Sequence, residues 1–123
     1  MGNYAYLVMM DIPADMEEEF NRVYDTQHVP NIVKAPGVNG CVRYKVESTN
    51  NERMARYAAL YDIDSPEIPT SDGWVSESEK GDWPTKIRPH ATNRSHTIYK
   101  NCLLYTSDAA DDTPCVDLGG RRI

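Results

Sequence analysis

Residues 38–64 run VNGCVRYKVES, then TNNE, then RMARYAALYDID, and this stretch decides the fold. Val38, Val42, Tyr44 and Val46 share one parity with Gly40, while Arg43, Lys45 and Glu47 take the other. That period of two predicts a strand over Val38–Ser48. Thr49-Asn-Asn-Glu52 is a polar turn whose asparagines tolerate positive φ. Arg53–Asp64 then sets Tyr57, Ala59, Tyr61 and Ile63 on one side and Ala58 and Leu60 on the other. Two such runs across a short polar turn predict an antiparallel hairpin.

Working outward toward the N-terminus, Pro36-Gly37 leads into the hairpin. Tyr4–Asp11, rich in aromatic and aliphatic residues, predicts a first strand that Pro13 ends. Asp15 is the expected N-cap of a helix, with Glu17–Glu19 in the first turn, where the dipole favours negative charge. Met16, Phe20, Val23, Tyr24 and Gln27 form its buried stripe. The helix is expected to end before Pro30, because a residue preceding proline avoids the α region, with Asn31–Lys34 as one more short turn.

Toward the C-terminus, Thr70 or Ser71 caps a short helix through Lys80, with Gly81 as its left-handed end and Trp74 and Val75 as its main apolar residues. Asp82–Asn93 reads as a loop holding Trp83, Arg88 and His90, and Arg94–Asn101 as the last strand. The order β-α-β-β-α-β predicts an α+β, ferredoxin-like fold: a four-stranded antiparallel sheet with both helices on one face. Tyr and Val occur on both parities, so the other face is too apolar to leave in water. A second copy is the simplest cover, which predicts a homodimer.

The chain has 123 residues, a net charge of −6 and a pI near 4.9. The acidic balance argues against nucleic acid as a partner, since phosphate binding needs a basic surface. No apolar run approaches the ~20 residues of a membrane span, and no N-terminal signal pattern is present. A cytoplasmic protein with no membrane partner is expected. Residues 102–123 differ from the rest, with no helical or strand period after Tyr105. Within them CLLYTSDAAD and CVDLGGRRI resemble two translated constant blocks of a sequencing adapter, with Asp112-Thr113-Pro114 where a variable index would lie. The tail is therefore expected to be non-native and disordered, the source metagenomic or draft sequence, the natural C-terminus missing, and the domain residues 1–101. Cys102 and Cys115 go with the tail. Cys41, left alone, fits a reducing compartment and a packing role in its strand.

His28 is the leading chemical candidate. It follows Tyr24 by four residues, so both share a helix face. Imidazole titrates near neutrality and can move a proton, while Tyr24 can orient it or stabilise an oxyanion. Arg88 and His90 flank Pro89 and suit a clamp on a carboxylate or enolate. His96, on a strand, can point either way. Tyr6, Tyr44, Tyr57, Tyr61, Trp74 and Trp83 suit an aromatic pocket, and equally a core or a dimer interface. His28, His90 and His96 lack metal-ligand spacing. No Gly-rich phosphate loop or nucleophile elbow occurs.

The segment Tyr24-Asp-Thr-Gln-His28-Val-Pro-Asn31, then Pro36-Gly37-Val38, Arg43-Tyr44, Ala59-Leu60-Tyr61-Asp62-Ile63 and Trp74, resembles the dimeric α+β barrel superfamily and, within it, the EthD-like proteins. The resemblance implies a histidine from the helix end at a cavity between helices and sheet. It does not fix a reaction, since members include monooxygenases without metal cofactors, cyclases, isomerases, dehydratases and haem-handling proteins. The expectation is a small enzyme without a cofactor or metal, acting on an apolar, carbonyl-bearing or aromatic molecule. His28 is its general acid or base and Tyr24 assists. Tyr6, Asn31, Tyr44, Tyr61, Trp74, Trp83, Arg88 and His90 are the expected substrate-binding residues. The alternatives are a non-catalytic dimer that binds a small hydrophobic ligand, a structural dimer with a filled core, and a haem binder.

Overall fold

The computed structural model describes residues 3–102. Apart from Cys102, the adapter-like tail, from Leu103 on, lies outside the described residues. The strands are β1 (Tyr4–Asp11), β2 (Val38–Lys45), β3 (Tyr57–Ile63) and β4 (Thr92–Lys100). They form one sheet in the order β2-β3-β1-β4, and every neighbouring pair is antiparallel. With helices between β1 and β2 and between β3 and β4, this is the α+β, ferredoxin-like fold that the element order predicts. Among the described residues no helix is long and apolar enough to cross a membrane.

The first helical stretch differs from expectation in both its start and its end. A 3-10 turn (Ala14–Met16) leads into α1 (Glu17–Val23), and no side chain caps either start, so Asp15 lies inside the turn instead of capping it. Helical backbone then continues through a π turn (Tyr24–His28) into α2 (Val29–Ile32), past Pro30. The reason is local. In the π turn the Val29 N–H donates to the Tyr24 carbonyl, five residues back. The wider turn shifts the bonding pattern there, so a proline one residue later is tolerated where a uniform α-helix would clash with it.

β2 also differs. Val38 pairs with Ile63 and Gly40 with Asp62, a bulge at Asn39. Val38 therefore does not share a face with Val42 and Tyr44. Cys41, Arg43 and Lys45 turn toward the helices, opposite Tyr61, Ala59 and Tyr57. Both hairpin strands are shorter than predicted, and Asn51 bends the connection through its side chain, accepting from the Arg53 N–H. The described non-glycine residue with positive φ is instead Asn93, at 51°.

Ser71 caps α3 (Asp72–Ser78) by accepting from the Trp74 N–H, and Gly81 has the expected left-handed φ of 71°. Trp74 is buried but Val75 is exposed. The expected loop after Gly81 is a second π turn (Trp83–Ile87) and a 3-10 turn (Arg88–His90). The helical layer buries Phe20, Val23, Tyr24, Ile32, Trp83 and Ile87 against Val8, Met10, Tyr57, Ala59, Tyr61 and Ile63 of the sheet. Each such large side chain contributes about 1.5–3 kcal/mol. The opposite sheet face carries Leu7, Met9, Val42, Tyr44, Leu60 and Tyr99, by strand alternation and register. Val42, Tyr44 and Tyr99 are each more than 50% exposed.

Candidate functional site

A cavity of about 300 Å³ lies between the helical layer and β1, β3 and β4. Tyr6, Val8, Met10 and Tyr61 line it from the sheet, Tyr24 and His28 from the first π turn, Trp74 and Ser78 from α3, Trp83 and Arg88 from the turns after Gly81, and Arg94 and His96 from β4. The walls are largely aromatic. Trp74 meets Tyr6 and Tyr61 edge-on, with ring centroids 5.4 and 4.9 Å away.

Both π turns deliver cavity residues, as π turns often do at functional sites. His28 lies stacked on Trp83 at 4.5 Å and edge-on to Tyr24 at 5.0 Å. The two turns are tied together by Gln27. Its amide nitrogen donates to the Asp82 carboxylate at 3.0 Å, and its amide oxygen accepts from the Asp82 N–H at 2.8 Å. Asp82 immediately precedes Trp83, so this clamp fixes where the indole meets the imidazole.

His28 is 6% exposed, and its Nδ1 is buried with no hydrogen-bond partner. Burial, and then the charge of Arg88, hold its pKa down to about 3. The imidazole is therefore neutral across the physiological range, contrary to the neutral-range titration its residue type suggests. Burial pushes Tyr24 up to about 12 and Cys41 up to about 11, and drives Tyr61 well above its ordinary value. All three stay protonated, and the buried Tyr61 hydroxyl lies beside Tyr24 and Cys41. The cavity thus offers a neutral imidazole at His28, the three phenols of Tyr6, Tyr24 and Tyr61 and, at its rim, two guanidinium groups.

Arg88 is anchored. It donates to the Glu79 carboxylate at 2.7 Å and to the Ser78 carbonyl at 3.3 Å. Of the residues singled out in the sequence, Tyr6, Tyr24, His28, Tyr61, Trp74, Trp83 and Arg88 come together in this cavity. Asn31, His90 and Tyr44 are not among its lining. Asn31 lies in α2, one turn beyond the cavity wall. His90 is exposed, so the paired clamp with Arg88 is not formed. The β2 bulge puts Tyr44 on the uncovered sheet face. The sequence does not single out Arg94 and gives His96 no direction. Their shared parity with Ile98 and Lys100 was the available signal, but that parity needs a partner strand to become a direction. Among the described residues no group of three His, Cys, Asp or Glu side chains is placed to hold a metal ion.

No protein-family profile and no curated protein sequence matches the chain. Similarity appears among solved structures. An ethyl tert-butyl ether D (EthD) family protein from Bacillus halodurans is 13% identical, with a TM-score of 0.54 over 80% of this chain and 98% of that one. The haem degrader MhuD from Mycobacterium tuberculosis, with two haems in its active site, is 14% identical, with a TM-score of 0.59 over 84% of this chain and 99% of that one. A mutant of MhuD with two manganese protoporphyrin IX molecules per active site is 16% identical, with a TM-score of 0.61 over 85% and 99%. The chain shares the ferredoxin-like α+β fold of these EthD-family and MhuD structures.

Proposed function

We propose that residues 1–101 form a small enzyme without a cofactor, in which His28 moves a proton to or from an apolar, carbonyl-bearing or aromatic molecule bound in the cavity. The observation that carries this reading is a neutral imidazole, with an unpartnered buried nitrogen, set in an aromatic wall beside a cationic group. A neutral imidazole is already in the form that accepts a proton. Proton removal beside a carbonyl, or from a phenol, leaves negative charge on the ligand oxygen. Tyr24 and Tyr61 hold protons to donate to that oxygen, and Arg88 supplies positive charge nearby. The anion in turn favours the imidazolium, raising the basicity of His28 when it is needed. The burial of His28 and Tyr24 strengthens the interactions they make.

The protein acts as a cytoplasmic homodimer in this reading, with the uncovered sheet faces packed together. The test is deuterium exchange by NMR on a panel of aryl ketones and aryl 1,3-diketones. The wild type accelerates exchange, and His28→Gln removes the acceleration while keeping the same melting temperature within a few degrees. A wild type that leaves every exchange rate at its solution value overturns the enzymatic reading.

A second reading is a non-catalytic binder of a small hydrophobic molecule. It is favoured by the low pKa of His28, because a general base works best with a pKa near the operating pH. Affinity is then flat from about pH 5 to 8. Haem, held by MhuD, fits the described residues poorly. The cavity is at the small end of the ~300–1,000 Å³ range of ligand sites, sized for a ring or two and not for a tetrapyrrole.

A further inference from the structure

Two guanidinium groups reach the cavity, and they differ in what already holds them. Arg88 is paired with Glu79. Arg94 has no carboxylate within ion-pair distance among the described residues, and its side chain meets His96 Nε2 at 3.4 Å. Arg53 and Arg56 likewise have no ion pair among the described residues, but of these arginines only Arg94 lines the cavity. Its position is also built. Asp11 pairs with Thr92 and Met9 with Ser95, so β4 carries an extra residue opposite Met10. That bulge is formed around Asn93 in the left-handed region, and the Asn93 side chain donates to the Asp11 carboxylate at 3.1 Å and to the Arg53 carbonyl at 2.9 Å. Bulges re-aim side chains. Here the anchored bulge makes Arg94 the first β4 residue on the cavity face, in line with His96 opposite Val8 and Ile98 opposite Tyr6.

We propose that Arg94 is an anion-binding residue at the β4 rim of the cavity, and that the ligand is a small aromatic molecule bearing a carboxylate. This rests on the cavity being a small-molecule site. The aromatic walls of Tyr6, Tyr61, Trp74 and Trp83 take the ring, and the guanidinium takes both carboxylate oxygens in a bidentate pair. The field of Arg94 is felt inside the cavity: burial raises the Tyr6 phenol and Arg94 partly offsets it.

Calorimetric titration of the full chain with 2-naphthoate and with its neutral counterpart 2-naphthamide tests this. The wild type binds the naphthoate at least tenfold more tightly. Arg94→Gln weakens naphthoate binding by about 10- to 100-fold, the range of a hydrogen-bonded charge, and leaves naphthamide unchanged. Arg94→Lys restores part of the loss. Equal affinity of the two probes for the wild type, or equal weakening of both by Arg94→Gln, overturns the carboxylate assignment while leaving the cavity as a binding site. If neither probe binds the wild type, the small-molecule reading itself falls and the assignment falls with it.

Discussion

Protonating His28 means charging a ring that is stacked on Trp83 and closed off from water. Its pKa is near 6.5 when unfolded and about 3 when folded, so the unfolded chain takes up the proton first. Stability from this residue is complete above about pH 6.5 and is lost as pH falls toward 3, at up to about 1.4 kcal/mol per pH unit. Urea unfolding at a series of pH values measures that slope. His28→Gln flattens it, and an unchanged slope in that variant would show the ring to be more solvated than its surroundings indicate. Much at this scale was legible. The helix face shared by Tyr24 and His28, and the ring-bearing residues at 6, 61, 74 and 83, follow from spacing and residue type. The protonation state was not legible, because it depends on Trp83 and Arg88, which arrive from far along the chain. Nor was Arg94, whose direction depends on a bulge made by Asn93 and Asp11.

Each helical element is fixed by a few backbone-specific positions, and Gly81 is one of them. Its φ is 71°, and a Cβ there would lie 2.6 Å from Gln27 Oε1, the atom that accepts from the Asp82 N–H. Gly81→Ala is expected to cost about 1–3 kcal/mol and to loosen Trp83, shifting its fluorescence to the red. Gly40→Ala is the control, since nothing lies within 4 Å of its Cβ. It should stay within about 0.5 kcal/mol of the wild type in the same denaturation assay. Element order was readable because alternation and caps are local signals: Ser71 caps where predicted and Gly81 takes the predicted left-handed φ, although α3 ends at Ser78 and not at Lys80. Element bounds were less readable. Pro30 reads as a stop only for a uniform α-helix, and a π turn has no sequence signature of its own. The Asn39 bulge hid in the same way, because alternation counts residues and a bulge adds one.

At the scale of the molecule, one sheet face is covered by helices and the other is not. Val42, Tyr44, Leu60, Leu7 and Met9 make that second face apolar across β2, β3 and β1, and β4 adds Tyr99 beside Ser95 and Thr97. Multi-angle light scattering is expected to give twice the chain mass at micromolar concentration. Leu60→Glu, a charge near the middle of the face, should give the single-chain mass with the circular dichroism spectrum retained, and a wild type of single-chain mass would remove the dimer from the account. The architecture was the most legible level of all, since β-α-β-β-α-β admits few arrangements. The two adjoining π turns have one more consequence. The first, set between α1 and α2, is in effect a one-residue insertion in a helix, so losing a codon between Tyr24 and His28 would let the backbone close into ordinary α geometry. The protein would keep its shape while the imidazole swung out of register with the indole, which makes this short stretch a place where heredity can erase chemistry without erasing structure.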